Sequence, residues 1–343
     1  MKYPIILTVI FLLISCSNQI EQDYNSIDLQ DSLIIINTLS ETLSVFDGDN
    51  TKNNIAQIDS GANSLICTSN GEFAIINSLS NSLTLFDDKF NYKYETAVEK
   101  GSNPFSGVWY NNKIYLSSFL KDQLQKLNSI DNKWQFAESI NIHNDEDFND
   151  NFPMGMAINN EKIYVAVAKL DNEFLPSALG EIAIFNNGYF NYITTTGYDT
   201  VNVVSTGSSL IFVSAGEYKK GTGFIGNGKI DFYNPKTEKI EKTVSIPGAP
   251  YSVTGPLNNK YFISNAQKGS FFIYDINENL ISENIISDKE TAFISDIIIW
   301  NNKVFMLSFN ENLLYEVSSN GKILNKYDTG DGPIKIYKKC KRR

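Results

Sequence analysis

Residues 70–104 read NGEFAIINSLSNSLTLFDDKFNYKYETAVEKGSNP. The stretch holds a short apolar run at 73–76, a polar turn, a second apolar run closing on Asp87, a third alternating run, and Gly-x-x-Pro at 101–104. Runs of about four apolar residues bounded by turn formers are strand signals, and no window sustains the i, i+3, i+4, i+7 apolar spacing of a helix. The class is all-β.

Working outward, the apolar run recurs at 33–36, 73–76, 114–117, 163–166, 211–214, 261–264 and 304–307. Alignment puts Asn37, Asn77, Ser118, Val167, Ala215, Asn265 and Ser308 at one position, with spacings of 40, 41, 49, 48, 50 and 43 residues. Seven units near this period, each rich in Val, Ile, Phe and Tyr, predict a seven-bladed β-propeller of four-stranded antiparallel blades. The punctuation agrees. Asn70-Gly71, Asn111-Asn112, Asn159-Asn160, Asn258-Asn259 and Asn301-Asn302 precede most runs and tolerate the positive φ of two-residue hairpins. Asp47, Asp87, Asn128, Asn186, Asn234 and Asp275 end the following runs, where an Asx side chain can bond the next turn. Pro104, Pro153, Pro250 and Pro333 open innermost strands, where a missing N–H breaks no ladder. The N-terminal unit lacks an innermost strand, whereas residues 330–337 form one with no blade of its own. The C-terminal strand is therefore expected to complete the N-terminal blade and close the ring.

Aromatics make up 13% of the chain, with 22 Phe and 18 Tyr, which suits strands. The formal net charge of -10 excludes a nucleic-acid partner, since nothing could neutralise a run of phosphates. The basic tail Lys338, Lys339, Lys341, Arg342 and Arg343 reads as a solvated chain end. At the other end, Lys2 followed by an apolar segment at 5–14 reads as a signal peptide over 1–15, too short to span a bilayer. Residues 16–26 then form a polar tether and 27–343 the propeller domain. Of the remaining cysteines, Cys67 lies in an apolar run and is expected as a small buried thiol, since one possible pair with Cys340 makes no disulfide framework.

Two resemblances sharpen this. Leu13-Ile14-Ser15-Cys16 resembles the lipobox of bacterial lipoproteins, which implies lipidation at Cys16, export to the cell envelope and attachment to a membrane through acyl chains. Ser17 after the Cys implies sorting to the outer membrane in a Gram-negative host; the alternative is an ordinary secretory signal with an incidental Cys. The repeats resemble the YVTN-type β-propeller repeats of YncE-like exported proteins. The likeness rests on Lys229-Ile230-Asp231-Phe232-Tyr233-Asn234-Pro235-Lys236-Thr237, on Gly248-Ala249-Pro250-Tyr251-Ser252-Val253, on Tyr261-Phe262-Ile263-Ser264-Asn265, and on the strand ends at Asp47 and Asp275. It spans nearly all the mature chain, though only one or two units keep the full pattern. It implies the fold and an exported location, and no reaction.

Chemistry is sparse. From Asn37 to Asp47, and at three equivalent places, the second-to-third strand interval is 10 residues; from Val167 to Asn186 and from Ala215 to Asn234 it is 19. These enlargements carry Asp171, Glu173 and Phe174, and then Glu217, Tyr218 and Phe224. A third long segment, with Asp145, Asp147 and Asp150, precedes the innermost strand of the neighbouring unit. In an up-and-down blade all three emerge on one face, which makes them candidate ligand-binding loops for a protein or small molecule; neutral insertion is the alternative. The acidic segment at 144–150 lacks calcium-loop spacing and reads as solvated. His143, the only histidine, cannot build a multi-histidine metal or haem site and reads as a loop residue. Gly221, Gly223 and Gly226 spell G-x-G-x-x-G between strands, without the helix that dinucleotide binding needs, so they read as turn formers. No catalytic residue, metal site or cofactor is assigned. The favoured function is a lipid-anchored binding or scaffolding module. The alternative is a metal-assisted, lactonase-like hydrolase or lyase at the channel mouth, where Asn103 and Asp296 could face the opening.

Overall fold

The computed structural model describes residues 31–68, 71–143, 150–287, 289 and 292–341. The expected signal peptide, Cys16 and the expected tether lie outside them, as do Asp145 and Asp147. The described residues hold thirty strands and no α-helix. Twenty-eight strands form seven four-stranded antiparallel sheets, and the other two form a separate hairpin. The innermost strands are β4 (Ala62–Cys67), β8 (Pro104–Tyr110), β12 (Asn151–Asn159), β16 (Thr200–Ser205), β22 (Pro250–Leu257), β26 (Ile294–Trp300) and β30 (Pro333–Lys338). Outside β30 stand β1 (Leu33–Asn37), β2 (Thr42–Phe46) and β3 (Thr51–Gln57). The last strand thus completes the first blade, with Ile35 opposite Ile336 and Ile34 opposite Tyr337.

Burial follows radius. The middle strands β1 and β2 are buried throughout, because each lies between two neighbouring blades and must be apolar on both faces. Outer strands such as residues 92–97 face water and are largely exposed. The core is accordingly seven apolar layers, nearly all between adjacent blades. The layer joining the last blade to the first holds Phe46 against Trp300 and Phe305, with ring centroids 5.9 and 5.3 Å apart. Side chains of this size contribute about 1.5–3 kcal/mol each on full burial.

The turns are where residue type predicts them, with one shift. Positive φ occurs at Gly71, Asn111-Asn112, Asn258-Asn259 and Asn301-Asn302, but in the fourth blade it falls on Asn160-Glu161, because Asn159 is drawn into β12 to donate to Ser205 and the Gly207 carbonyl. Asp47, Asp87, Asn234 and Asp275 each accept a backbone N–H from two residues on. Pro104, Pro153 and Pro250 each pair with the next strand, after which the register slips by a bulge.

The cysteine expectation is overturned. Cys67 and Cys340 form a disulfide, 273 residues apart in sequence and 5.4 Å between Cα atoms. Ring closure brings the end of β30 beside the end of β4, a proximity invisible to local pattern. Two further contacts seal the joint: Ser295 Oγ donates to the Pro333 carbonyl at 2.6 Å, and the Tyr337 and Ser64 hydroxyls lie 2.9 Å apart.

Candidate functional site

Both enlarged loops rise from one face. Second-to-third turns bond directly to the crossovers entering the innermost strands: Ser78 N–H donates to Gly61 O, Phe119 N–H to Asn103 O, and Ala215 N–H to Asp199 O. The fourth-blade loop at 170–178 is ordered by its own sequence. Asp171 Oδ1 accepts the N–H groups of Glu173 and Leu175 at 2.8 and 3.0 Å, and Leu170 bridges Pro176. Phe174, at φ 59°, lies against Phe152 and Phe119 (centroids 5.3 and 6.4 Å) yet keeps 54% of its surface exposed.

The fifth-blade insertion forms a hairpin of β18 (Tyr218–Lys219) and β19 (Gly223–Phe224), with Tyr218 and Phe224 rings edge-on at 5.3 Å. Gly221, Gly223 and Gly226 take φ of 85°, 88° and 77°, which makes them turn formers. Asn227 braces the base by accepting from Glu217 N–H and donating to its carboxylate, and Gln267 of the next blade donates to the Phe224 carbonyl at 2.6 Å. Lys220 and Glu173 join the two loops at 2.7 Å; both are well exposed, so the pair sets orientation more than stability. Six of the nine candidate loop residues are therefore brought together. Asp150 is exposed and meets the base of the fourth-blade loop, its carbonyl accepting Leu170 N–H at 3.1 Å.

His143 is more than a loop residue. Its Nδ1 lies 2.9 Å from Asp122 Oδ2 and its Nε2 2.7 Å from Glu181, while its ring stacks on Tyr192 at 4.8 Å. Burial pulls the imidazolium pKa down, but the hydrogen bonds it donates to Asp122 and Glu181 outweigh that and lift the group to about 9. Asp122 and His143 belong to the third blade and its exit, Glu181 to the fourth, so the charged imidazolium clasps two blades. Its partners lie 21 and 38 residues away, beyond any local motif.

Beneath the loops the channel holds a cavity of about 210 Å³, lined by all seven innermost strands. Its charged centre is Asp296, which accepts from Ser252 Oγ at 2.5 Å and Ile336 N–H at 3.1 Å and lies 3.6 Å from Lys335 Nζ. Burial opposes the Lys335 charge, but Asp296 outweighs it and holds the ammonium above its ordinary pKa, 5.3 Å from the Tyr251 ring centre. Burial raises the Tyr251 and Tyr337 hydroxyls as well. Asp199, at the crossover into β16, is pushed up to about 7 by burial. Of the two polar residues marked for the channel mouth, Asp296 does line the cavity; Asn103 instead takes φ 50° in a crossover, its N–H donating to Asn81 Oδ1. Among the described residues no three His, Cys, Asp or Glu side chains converge to hold a metal ion.

No known protein family matches the chain. One curated relative, a putative F-box/kelch-repeat protein of Arabidopsis thaliana, is 33% identical over 103 residues, which is 27% of this chain and 29% of that protein. The chain thus spans under a third of that relative. Among solved structures, a putative 6-phosphogluconolactonase of Bacteroides fragilis superposes with a TM-score of 0.68 at 11% identity, covering 92% of this chain and 99% of that one. A streptogramin B lyase gives 0.61 at 15% identity, over 88% and 89% of the two chains. Apo AztD of Citrobacter koseri gives 0.61 at 12% identity, over 89% and 97%. At these identities the likeness is one of fold, and the chain is a seven-bladed β-propeller whose structural neighbours include a lyase.

Proposed function

We propose that this protein is a binding module of the YVTN-repeat type, held in a bacterial cell envelope by lipid on Cys16, with its ligand face built by the enlarged loops of the fourth and fifth blades. The observation that carries the binding reading is the ordered contact between those loops: Glu173 meets Lys220 while Phe174 and Tyr218 stay exposed above them. Loops fixed on a rigid scaffold, presenting aromatic side chains at low entropic cost, are what recognition surfaces use. The anchor rests on the signal-like start and Leu13-Ile14-Ser15-Cys16; no helix among the described residues is long and apolar enough to cross a membrane. The metal-assisted alternative is weakened because Asp296 is already committed to Ser252, Ile336 and Lys335.

A photoreactive benzoylphenylalanine placed at Phe174 in the full chain should give a discrete adduct in intact cells, with none from the same group at Ile130 on the opposite face. Cys16→Ala should move the protein out of the membrane fraction. Adducts at neither position, or equal smears from both, would refute the binding face; unchanged membrane retention of Cys16→Ala would refute the anchor.

A further inference from the structure

We propose that the binding face reaches well beyond the two enlarged loops, into an apolar and acidic docking surface for a protein partner whose contacting segment interleaves lysine or arginine with apolar side chains. This deepens the binding reading above by naming the class of partner.

The observation is a repeated turn. Asn37-Thr38-Leu39-Ser40 and Asn77-Ser78-Leu79-Ser80 are near copies in the first two blades, and Ser118-Phe119-Leu120-Lys121 holds the same place in the third. The turns are pinned to the adjacent crossovers, with Leu39 N–H donating to Asp331 O and Leu120 N–H to Ser102 O. Leu39 and Leu79 lie directly over Gly332 and Gly61, both at positive φ; a Cβ on either glycine would come within 2.5 Å of the leucine Cγ. The side chains are seated, yet Leu39 is 61%, Leu79 68% and Leu120 48% exposed. Phe174, Tyr218 and Ile225, at 54, 40 and 41%, continue the arc over the fourth and fifth blades. One exposed leucine is ordinary; a row at one structural position across neighbouring blades is a patch of the kind that marks interaction sites.

Charge selects the occupant. Glu41, Asp59, Asp171, Glu217 and Asp331 lie in the same turns and crossovers, and none forms an ion pair among the described residues. Several lysines of this face are already matched: Lys121 by Glu99, Lys220 by Glu173 and Lys289 by Glu311. Lys100, Lys219 and Lys268 remain, the last two beside the fifth and sixth blades rather than beside Leu39 and Leu79. An anionic lipid surface or a second copy of this face would meet like charge, whereas a cationic, apolar segment would satisfy both features.

The test places benzoylphenylalanine at Leu79 in the full chain, with Ile130 again as control, and sequences the crosslinked segment by mass spectrometry. The expected result is an adduct from Leu79 alone, on a segment with excess lysine or arginine among apolar residues. Its yield should fall at least five-fold when Leu39→Ser and Glu41→Lys are introduced together, with Tm unchanged. A lipid adduct, an adduct to a second copy, an acidic or neutral segment, or a yield indifferent to the double variant would overturn the proposal. Crosslinking at Phe174 with none at Leu79 would overturn this extension alone, and silence at both would overturn the loop reading with it.

Discussion

His143 joins two blades by carrying a charge that neither blade could hold alone. Because its folded pKa is raised from 6.5 to about 9, the stability it contributes is fully present below pH 6.5 and is lost as pH rises through 9. With partial solvent screening the clasp contributes about 2 kcal/mol at neutral pH. His143→Gln should lower Tm between pH 6 and 7.5, and the gap from the parent should close by pH 10. A gap that persisted at pH 10 would mean the residue acts by packing on Tyr192 rather than by charge. A lone histidine beside an acidic run carries no sign of Asp122 or Glu181, which only adjacent blades bring to it. Leu39, Leu79 and Leu120 are a different kind of miss. The copied Asn-Thr/Ser-Leu-Ser was present to be read, but an apolar residue in a turn of an apolar repeat attracts no notice until its exposure is known.

At the scale of the strand, β30 does the most for its length. It supplies the innermost strand of the first blade, and its neighbourhood carries the Ser295–Pro333, Asp296–Ile336 and Tyr337–Ser64 contacts. A chain ending at 329 should be aggregation-prone or much less thermostable, since β1 would present an open edge at the channel. That truncation also removes Cys340, so Ile336→Ala in the full chain separates the effects. Ile336 is 4% exposed, and its truncation should cost about 3 kcal/mol in denaturant unfolding with the disulfide intact. A cost near zero would show that β30 matters only as a carrier of Cys340. This closure was legible from the chain ends, because a propeller unit missing one strand and a strand missing its unit have one simple solution. Turn positions were legible at Asn111-Asn112, Asn258-Asn259 and Asn301-Asn302. They slipped only at Asn159, whose side chain has partners outside its own hairpin.

The whole molecule is polar in a way no single blade reveals. One face carries the enlarged loops, the exposed leucines and carboxylates that form no ion pair among the described residues. The opposite face receives both described chain ends: Trp300 Nε1 and Asn301 Nδ2 donate to Asp31, and Lys339 N–H donates to Ser32 O. A tether leading from Asp31 would therefore leave on the side away from the binding face. The Cys67–Cys340 bond was hidden in the sequence, since β4 and the end of β30 become neighbours only when seven blades close. In the chain-entropy account a bridge over so long a loop contributes about 5 kcal/mol. It also divides the molecule mechanically. Both described chain ends lie outside the covalent loop, so a pull between them can unravel only residues 31–67 and 341. That span holds β1 to β3 and also β4, the innermost strand of the second blade, while the third to seventh blades are shielded from the load. Stretched as a single molecule, the oxidised protein should release roughly 130 Å of contour and the Cys340→Ser variant roughly 1,100 Å, at about 3.5 Å per residue. Equal lengths would show that the bridge does not form. Tugged by its partner, the protein would behave as a ring on a short leash, yielding at its first blade and at β4 and holding from the third blade onward.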